Sequence, residues 1–98
     1  MSKARVHVLI TGKVQGVYFR DSAQREADVL GIKGWIRNNN DGAVEGVFEG
    51  TIENLLKMVE WCRHGPPRAH VIDIKEDWQD YQGEFKSFGI AGRALFDL

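Results

Sequence analysis

Apolar and polar positions alternate near the start of the chain. Val6, Val8 and Ile10 fall on one side and Arg5, His7, Leu9 and Thr11 on the other, the period-two pattern of a half-buried strand. The period then lengthens. Ala23, Ala27 and Leu30 recur at helical spacing across residues 21–30, with Asp21 and Gln24 placed like a capping pair and Gly31 as the stop. Alternation returns over 32–38 and again over 43–49. The NNNDG between them carries Asp41-Gly42, the turn chemistry of a hairpin. Thr51 is placed to cap a second helix in which Ile52, Leu55, Leu56, Val59 and Cys62 form one apolar stripe, and Gly65-Pro66-Pro67 ends it. Further strands are expected at about 70–77 and 85–90.

This order, β-α-β-β-α-β with a short final strand, is the split βαβ arrangement of an α+β, ferredoxin-like sandwich. It predicts a mostly antiparallel sheet with two helices on one face and the other face open to solvent. At 98 residues the chain suffices for one modest core and is too short for two, so a single domain is expected.

Composition narrows the function. Hydrophobic residues at 43% and charged ones at 28% describe a folded globular chain rather than a disordered or membrane one. A formal charge of -1 counts against a nucleic-acid partner, because phosphate-backbone binders carry a basic excess. The strand order is shared with RNA-recognition domains, but the expected open face mixes charges and offers no basic stacking platform. The first apolar run is only five residues, so neither a signal peptide nor a membrane span is expected. Cys62 is the sole cysteine, and a reduced, cytoplasmic setting follows.

His7, His64 and His70 lack ligand-like spacing, so no metal is expected, and they are read as exposed strand and loop residues. Trp35, Trp61 and Trp78 are read as core or edge packing. The segment from Cys62 to Arg68 fits C-x5-R, the spacing of thiol-dependent phosphatases. It fails physically: Pro66 and Pro67 have no N–H to offer a phosphate, and a thiol on an apolar stripe has its pKa raised.

The stretch GKVQGVYFR, residues 12–20, sits between the first strand and the first helix. A tight turn followed by a surface arginine would account for it. So would an anion site. A loop entering a helix N-terminus can aim several backbone N–H groups at one point, where the helix dipole also favours negative charge. Gly16 can take a positive φ that turns successive amides inward. Arg20 adds a planar fork for two oxygens of a phosphate or carboxylate.

With that placement the sequence resembles the acylphosphatases. Gly12-Lys13-Val14-Gln15-Gly16-Val17-Tyr18-Phe19-Arg20 matches the family's G-x-V-Q-G-V-x-F-R at every fixed position. Its second motif is matched by Gly34-Trp35-Ile36-Arg37-Asn38 and Gly42-Ala43-Val44, ending at Gly50. The resemblance spans about 5–90, a core with AGRALFDL at 91–98 beyond it as a native tail or an appended remnant. It implies that Arg20 and Asn38 are the catalytic pair. Asn39, Asn40 and Asp41 remain turn formers.

The implied activity is metal-independent hydrolysis of an acyl phosphate to carboxylate and phosphate, with no cofactor and by a monomer. Gln15, Gly16, Val17, Tyr18, Phe19 and Arg20 would hold the phosphoryl group, and Asn38 would orient the attacking water. Inorganic phosphate or sulfate would compete for the cradle. A non-catalytic module of the same fold, holding phosphate or carbamoyl phosphate, is the other reading. Asp21 sets a negative charge beside Arg20, where it weakens anion affinity or serves the helix start.

Overall fold

The alternation at the start of the chain is realised as β1 (Lys3–Lys13), in which Val6, Val8 and Ile10 are completely buried. In the computed structural model, which describes residues 1–92, it is followed by α1 (Phe19–Leu30), β2 (Lys33–Asn38), β3 (Val44–Thr51), α2 (Ile52–Cys62), β4 (His70–Asp80) and β5 (Phe88–Ile90). The tail expected at 91–98 lies, from residue 93 onward, outside the described residues. The five strands form one sheet in the order β4-β1-β3-β2-β5. Only the β2–β5 pair is parallel; β1–β3, β1–β4 and β2–β3 are antiparallel. The fold is thus the α+β, ferredoxin-like architecture that the sequence predicts.

Both helices cover the same face. Ala23 and Ala27 of α1 and Leu55, Met58, Val59 and Cys62 of α2 share one core with Val6, Val8, Ile10, Ile36, Val44 and Phe48. The α2 stripe is shifted from the expected one: Ile52 and Leu56 are exposed, and Met58 is buried instead. Rotation about the helix axis explains this, because Leu55, Met58, Val59 and Cys62 keep the i, i+3, i+4, i+7 spacing without them. Thr51 caps α2 as expected, its hydroxyl accepting from Asn54 N–H at 3.2 Å.

The start of α1 departs from expectation. The helix begins at Phe19, so Asp21 lies inside its first turn and caps nothing. Gln24 turns away and donates to the Phe88 carbonyl at 3.1 Å, tying α1 to β5. The residue at the cap is Tyr18, held at φ 63, ψ 28 with no side-chain cap.

The sheet's other face is not simply open. Arg5 and His7 of β1, Arg37 of β2, and Glu45 and Glu49 of β3 project there and pair across strands. His7 is therefore half-buried against Glu45 at 2.6 Å rather than exposed. The loop after β4 crosses this face, and Gln82 and Gly83 donate backbone N–H groups to Glu49 at 2.8 and 3.2 Å. Arg5 pairs with Glu84 and lies over the Phe85 ring. With those partners Glu49 is only 2% exposed, as a buried carboxylate requires. β4 closes one side of the sheet and pairs only with β1 among the described residues.

Candidate active site

The loop from Val14 to Tyr18 leaves β1, crosses the end of the sheet and enters α1. Val14 and Val17 anchor it in the core, which leaves the intervening residues at the surface. Gly16 has φ 74, as a glycine can without strain. Tyr18 has φ 63 with a side chain attached, a conformation that ordinarily disfavours a residue with a Cβ. Two left-handed residues within three positions curl the loop so that its amides face one side. Among the described residues, the N–H groups of Gly16 to Asp21 donate to no protein acceptor; the first that does is Ser22, to Tyr18 O at 3.1 Å.

These amides border a cavity of about 310 Å³ lined by Val14, Gly16, Tyr18, Phe19, Arg20, Asp21 and Asn38. Arg20, half-buried, makes no ion pair among the described residues, and Asp21 beside it is exposed. The side chains of Gln15 and Val17 turn away from the cavity: Val17 points into the core, and Gln15 reaches the β2–β3 hairpin. Gln15 Nε2 donates to the carbonyls of Asn39 at 2.8 Å and Ala43 at 2.9 Å.

Asn38 reaches the cavity by a route other than direct pairing of β2 with β1. β3 lies between those strands, and Val44 pairs with both Ile10 and Asn38. The end of β2 is thereby brought level with the end of β1. Asn38 is 6% exposed, and its Oδ1 is buried with no hydrogen-bond partner. A buried carboxamide oxygen without a donor costs stability, so its retention at a cavity wall points to a ligand or water. Behind it, Glu45 is held in place by His7 and by Arg37 at 2.9 Å. Partial burial alone would raise the Glu45 pKa, but hydrogen bonds from His7, Arg37 and Asn39 outweigh it and lower the pKa.

The cavity floor is rigid. Phe19 meets Trp61 edge-on at 5.4 Å between ring centroids, and Gly65 packs against it so closely that a Cβ there would lie 2.5 Å from Phe19 Cε2. Cys62 stays out of any such chemistry: burial pushes its thiol pKa far up. Among the described residues no group of three or more His, Cys, Asp or Glu is placed to hold a metal ion, and no helix is long and apolar enough to cross a membrane. The αL conformation of Tyr18 and the bridging role of the Gln15 side chain left no mark in the sequence beyond the motif itself.

The site is a loop of undonated amides at a helix N-terminus, with one arginine and one buried asparagine at the same cavity of an α+β sandwich, a combination suited to an anion. The chain belongs to the acylphosphatase family, whose model matches residues 6–90. A curated acylphosphatase of Pelotomaculum thermopropionicum is 57% identical over 91 residues, 93% of this chain and 99% of that relative. The crystal structure of acylphosphatase from Bacillus subtilis is similar with a TM-score of 0.87 and 34% identity, over 90% of this chain and 98% of that one. T. kodakarensis HypF is similar with a TM-score of 0.78 and 28% identity over 90% of this chain, but the match takes in 12% of HypF.

Proposed function

We propose that this enzyme hydrolyses the carboxyl–phosphate bond of acyl phosphates, with Arg20 and the loop amides holding the phosphoryl group and Asn38 orienting the water. The family match and relatives named for that activity at 50 to 57% identity support the reaction over a non-catalytic binding module. One observation supports the assignment of roles: Asn38, buried and with no protein partner for its Oδ1, lines the same cavity as Arg20 and the loop.

Phosphoryl transfer asks for positioning and charge stabilisation more than for covalent chemistry. The amides and the guanidinium hold the non-bridging oxygens, and the α1 dipole adds to their field. Asn38 Oδ1 accepts from the water and aims its oxygen at phosphorus. The water oxygen bonds to phosphorus, the bond to the bridging oxygen breaks, and the carboxylate leaves with the electron pair. The water proton passes to a phosphoryl oxygen of the substrate itself. Asp21 shares the cavity, and a loss beyond about 100-fold in Asp21→Asn would move that proton to its carboxylate.

The test is release of phosphate from benzoyl phosphate in excess EDTA. Wild type turns over, inorganic phosphate competes, and Arg20→Ala lowers kcat on the order of 10²–10³-fold while raising the phosphate inhibition constant. Phosphate binding without turnover by the wild type would leave the binding module as the reading. The lone buried Cys62 and the family match fit a single-domain monomer working in the cytoplasm, a further part of the proposal that gel filtration and fractionation test.

A further inference from the structure

A second groove opens on the other side of Tyr18. It measures about 350 Å³ and shares the Tyr18 wall with the active-site cavity. Val17, Pro66 and Pro67 form its apolar floor, and Ser22, Arg25 and Arg68 supply its polar rim. Its size lies at the lower end of small-molecule sites, which start near about 300 Å³.

The two arginines reach the groove from different elements. Arg25 stands three residues after Ser22 on α1, on the same side of the helix. Arg68 sits in a turn closed by Ala69 N–H donating to Pro66 O at 2.9 Å. Gly65 holds this turn against Phe19, so it is fixed relative to the phosphate-binding loop. Three other arginines are paired, Arg5 with Glu49, Arg37 with Glu45 and Arg63 with Glu76, and Arg20 faces the active-site cavity. Arg25 and Arg68 make no hydrogen bond or ion pair among the described residues, and no carboxylate lines their groove. Glu26, which borders the adjoining hollow with Arg25, is not among the ion-pair partners of Arg25 within the described residues.

We propose that this groove receives the acyl moiety of the substrate, and that Arg25 and Arg68 select acyl phosphates whose acyl group ends in a second anion, a carboxylate or a phosphate. The inference rests on the acyl phosphate reading above and adds the substrate class. The phosphoryl group is fixed on one side of Tyr18 by the loop amides, so an acyl chain extending past that ring enters a groove with an apolar floor. A methylene chain suits Val17 and the two prolines, and a terminal anion meets two unpaired guanidinium groups.

Succinyl phosphate and butyryl phosphate have acyl groups of four carbons and differ in the terminal carboxylate, so their kcat/KM ratio isolates it. Wild type is expected to favour succinyl phosphate, and the ratio is expected to fall about tenfold in Arg25→Gln/Arg68→Gln, the size two solvent-exposed charge contacts supply. A phosphate-ended acyl phosphate assayed alongside shows which terminal anion gains more. Both residues are exposed and unpaired, so the double variant is expected to fold, and circular dichroism checks it. Turnover of both substrates with an unchanged ratio in the folded double variant overturns the groove alone. Turnover of neither by wild type overturns the acyl phosphate reading and the groove together.

Discussion

Gln15 Nε2 and the carbonyl of Asn39 meet at 2.8 Å, which ties the anion loop to the residue immediately after Asn38. The same nitrogen reaches Ala43 O, so one side chain closes the hairpin mouth onto the loop. The two motifs are 24 residues apart at this contact, and the Gln15 side chain joins them. Gln15→Ala is therefore expected to cost about 1–2 kcal/mol of stability through two lost hydrogen bonds. It should lower kcat about tenfold with little change in the phosphate inhibition constant, since the cradle stays and the water-orienting residue drifts. Urea unfolding and steady-state kinetics check both; a weakened phosphate constant with unchanged kcat would place Gln15 in the cradle itself.

Asn38→Ala should separate activity from stability. Loss of the water contact is expected to lower kcat on the order of 10²–10³-fold with phosphate affinity kept. The buried, unpartnered Oδ1 costs the folded state about 1–3 kcal/mol, and removing it offsets the lost packing. The melting temperature of the variant should match or exceed that of wild type. A drop of many degrees would mean that Asn38 is a structural residue.

Tyr18 presents the opposite case, a strained backbone carrying an exposed ring. At φ 63 and 72% exposure it loses little packing on truncation. Relief of αL strain, about 1–2 kcal/mol, competes with the added flexibility of glycine in the unfolded chain, roughly 0.5–1 kcal/mol. Tyr18→Gly should leave stability unchanged or raise it by up to about 1 kcal/mol. Phosphate inhibition should weaken, because amides 16–21 lose their fixed aim. Chemical denaturation and a phosphate titration test the two halves separately.

How far could these residues be read before the fold was known? Val6, Val8 and Ile10 announce β1 because a strand with one buried face must alternate, and Thr51 announces α2 because its hydroxyl satisfies a free N–H. The same kind of local pattern does not hold at the start of α1. Asp21 and Gln24 have capping spacing, but the helix begins at Phe19, with Tyr18 at its cap and no side chain capping it. Arg20 and Asn38 carry the family motif, whereas their convergence depends on β3 standing between β1 and β2, a long-range pairing that no local pattern encodes.

Glu45 makes stability depend on pH. Partial burial pushes its carboxyl up from an ordinary 4.5, but the hydrogen bonds from His7, Arg37 and Asn39 bring it lower in the folded state. A folded pKa below the unfolded one gives stability that is complete above 4.5 and drains away as pH falls through the folded value. Between about pH 7 and about pH 3.5, wild type should therefore lose more stability than Glu45→Gln, measured as the shift in urea midpoint. Equal losses would show that the pairing with His7 and Arg37 has no net effect.

Cys62 is packed into the core, where burial pushes its thiol pKa up and disfavours the thiolate. Iodoacetamide should leave the native protein unmodified over hours and label it within minutes in denaturant. Cys62→Ser should keep kcat and cost about 1–3 kcal/mol, the penalty of a buried hydroxyl without a donor or acceptor. Rapid labelling of folded protein together with loss of turnover would restore the thiol as a nucleophile.

The outer edge of β4 is a place where a second copy of the chain could add a strand. It is a long strand with its outer backbone unpaired among the described residues, a template on which a second sheet could add itself. Asp73, Lys75, Glu76, Asp77 and Asp80 punctuate that strand, and the four carboxylates leave it negative at neutral pH. Two such edges laid together would bring like charges into register, so the strand repels its own image. Salt, which screens exposed charges, weakens that repulsion while leaving the free N–H and C=O groups in place. Ionic strength, and not the fold alone, then bears on how readily copies of the chain associate.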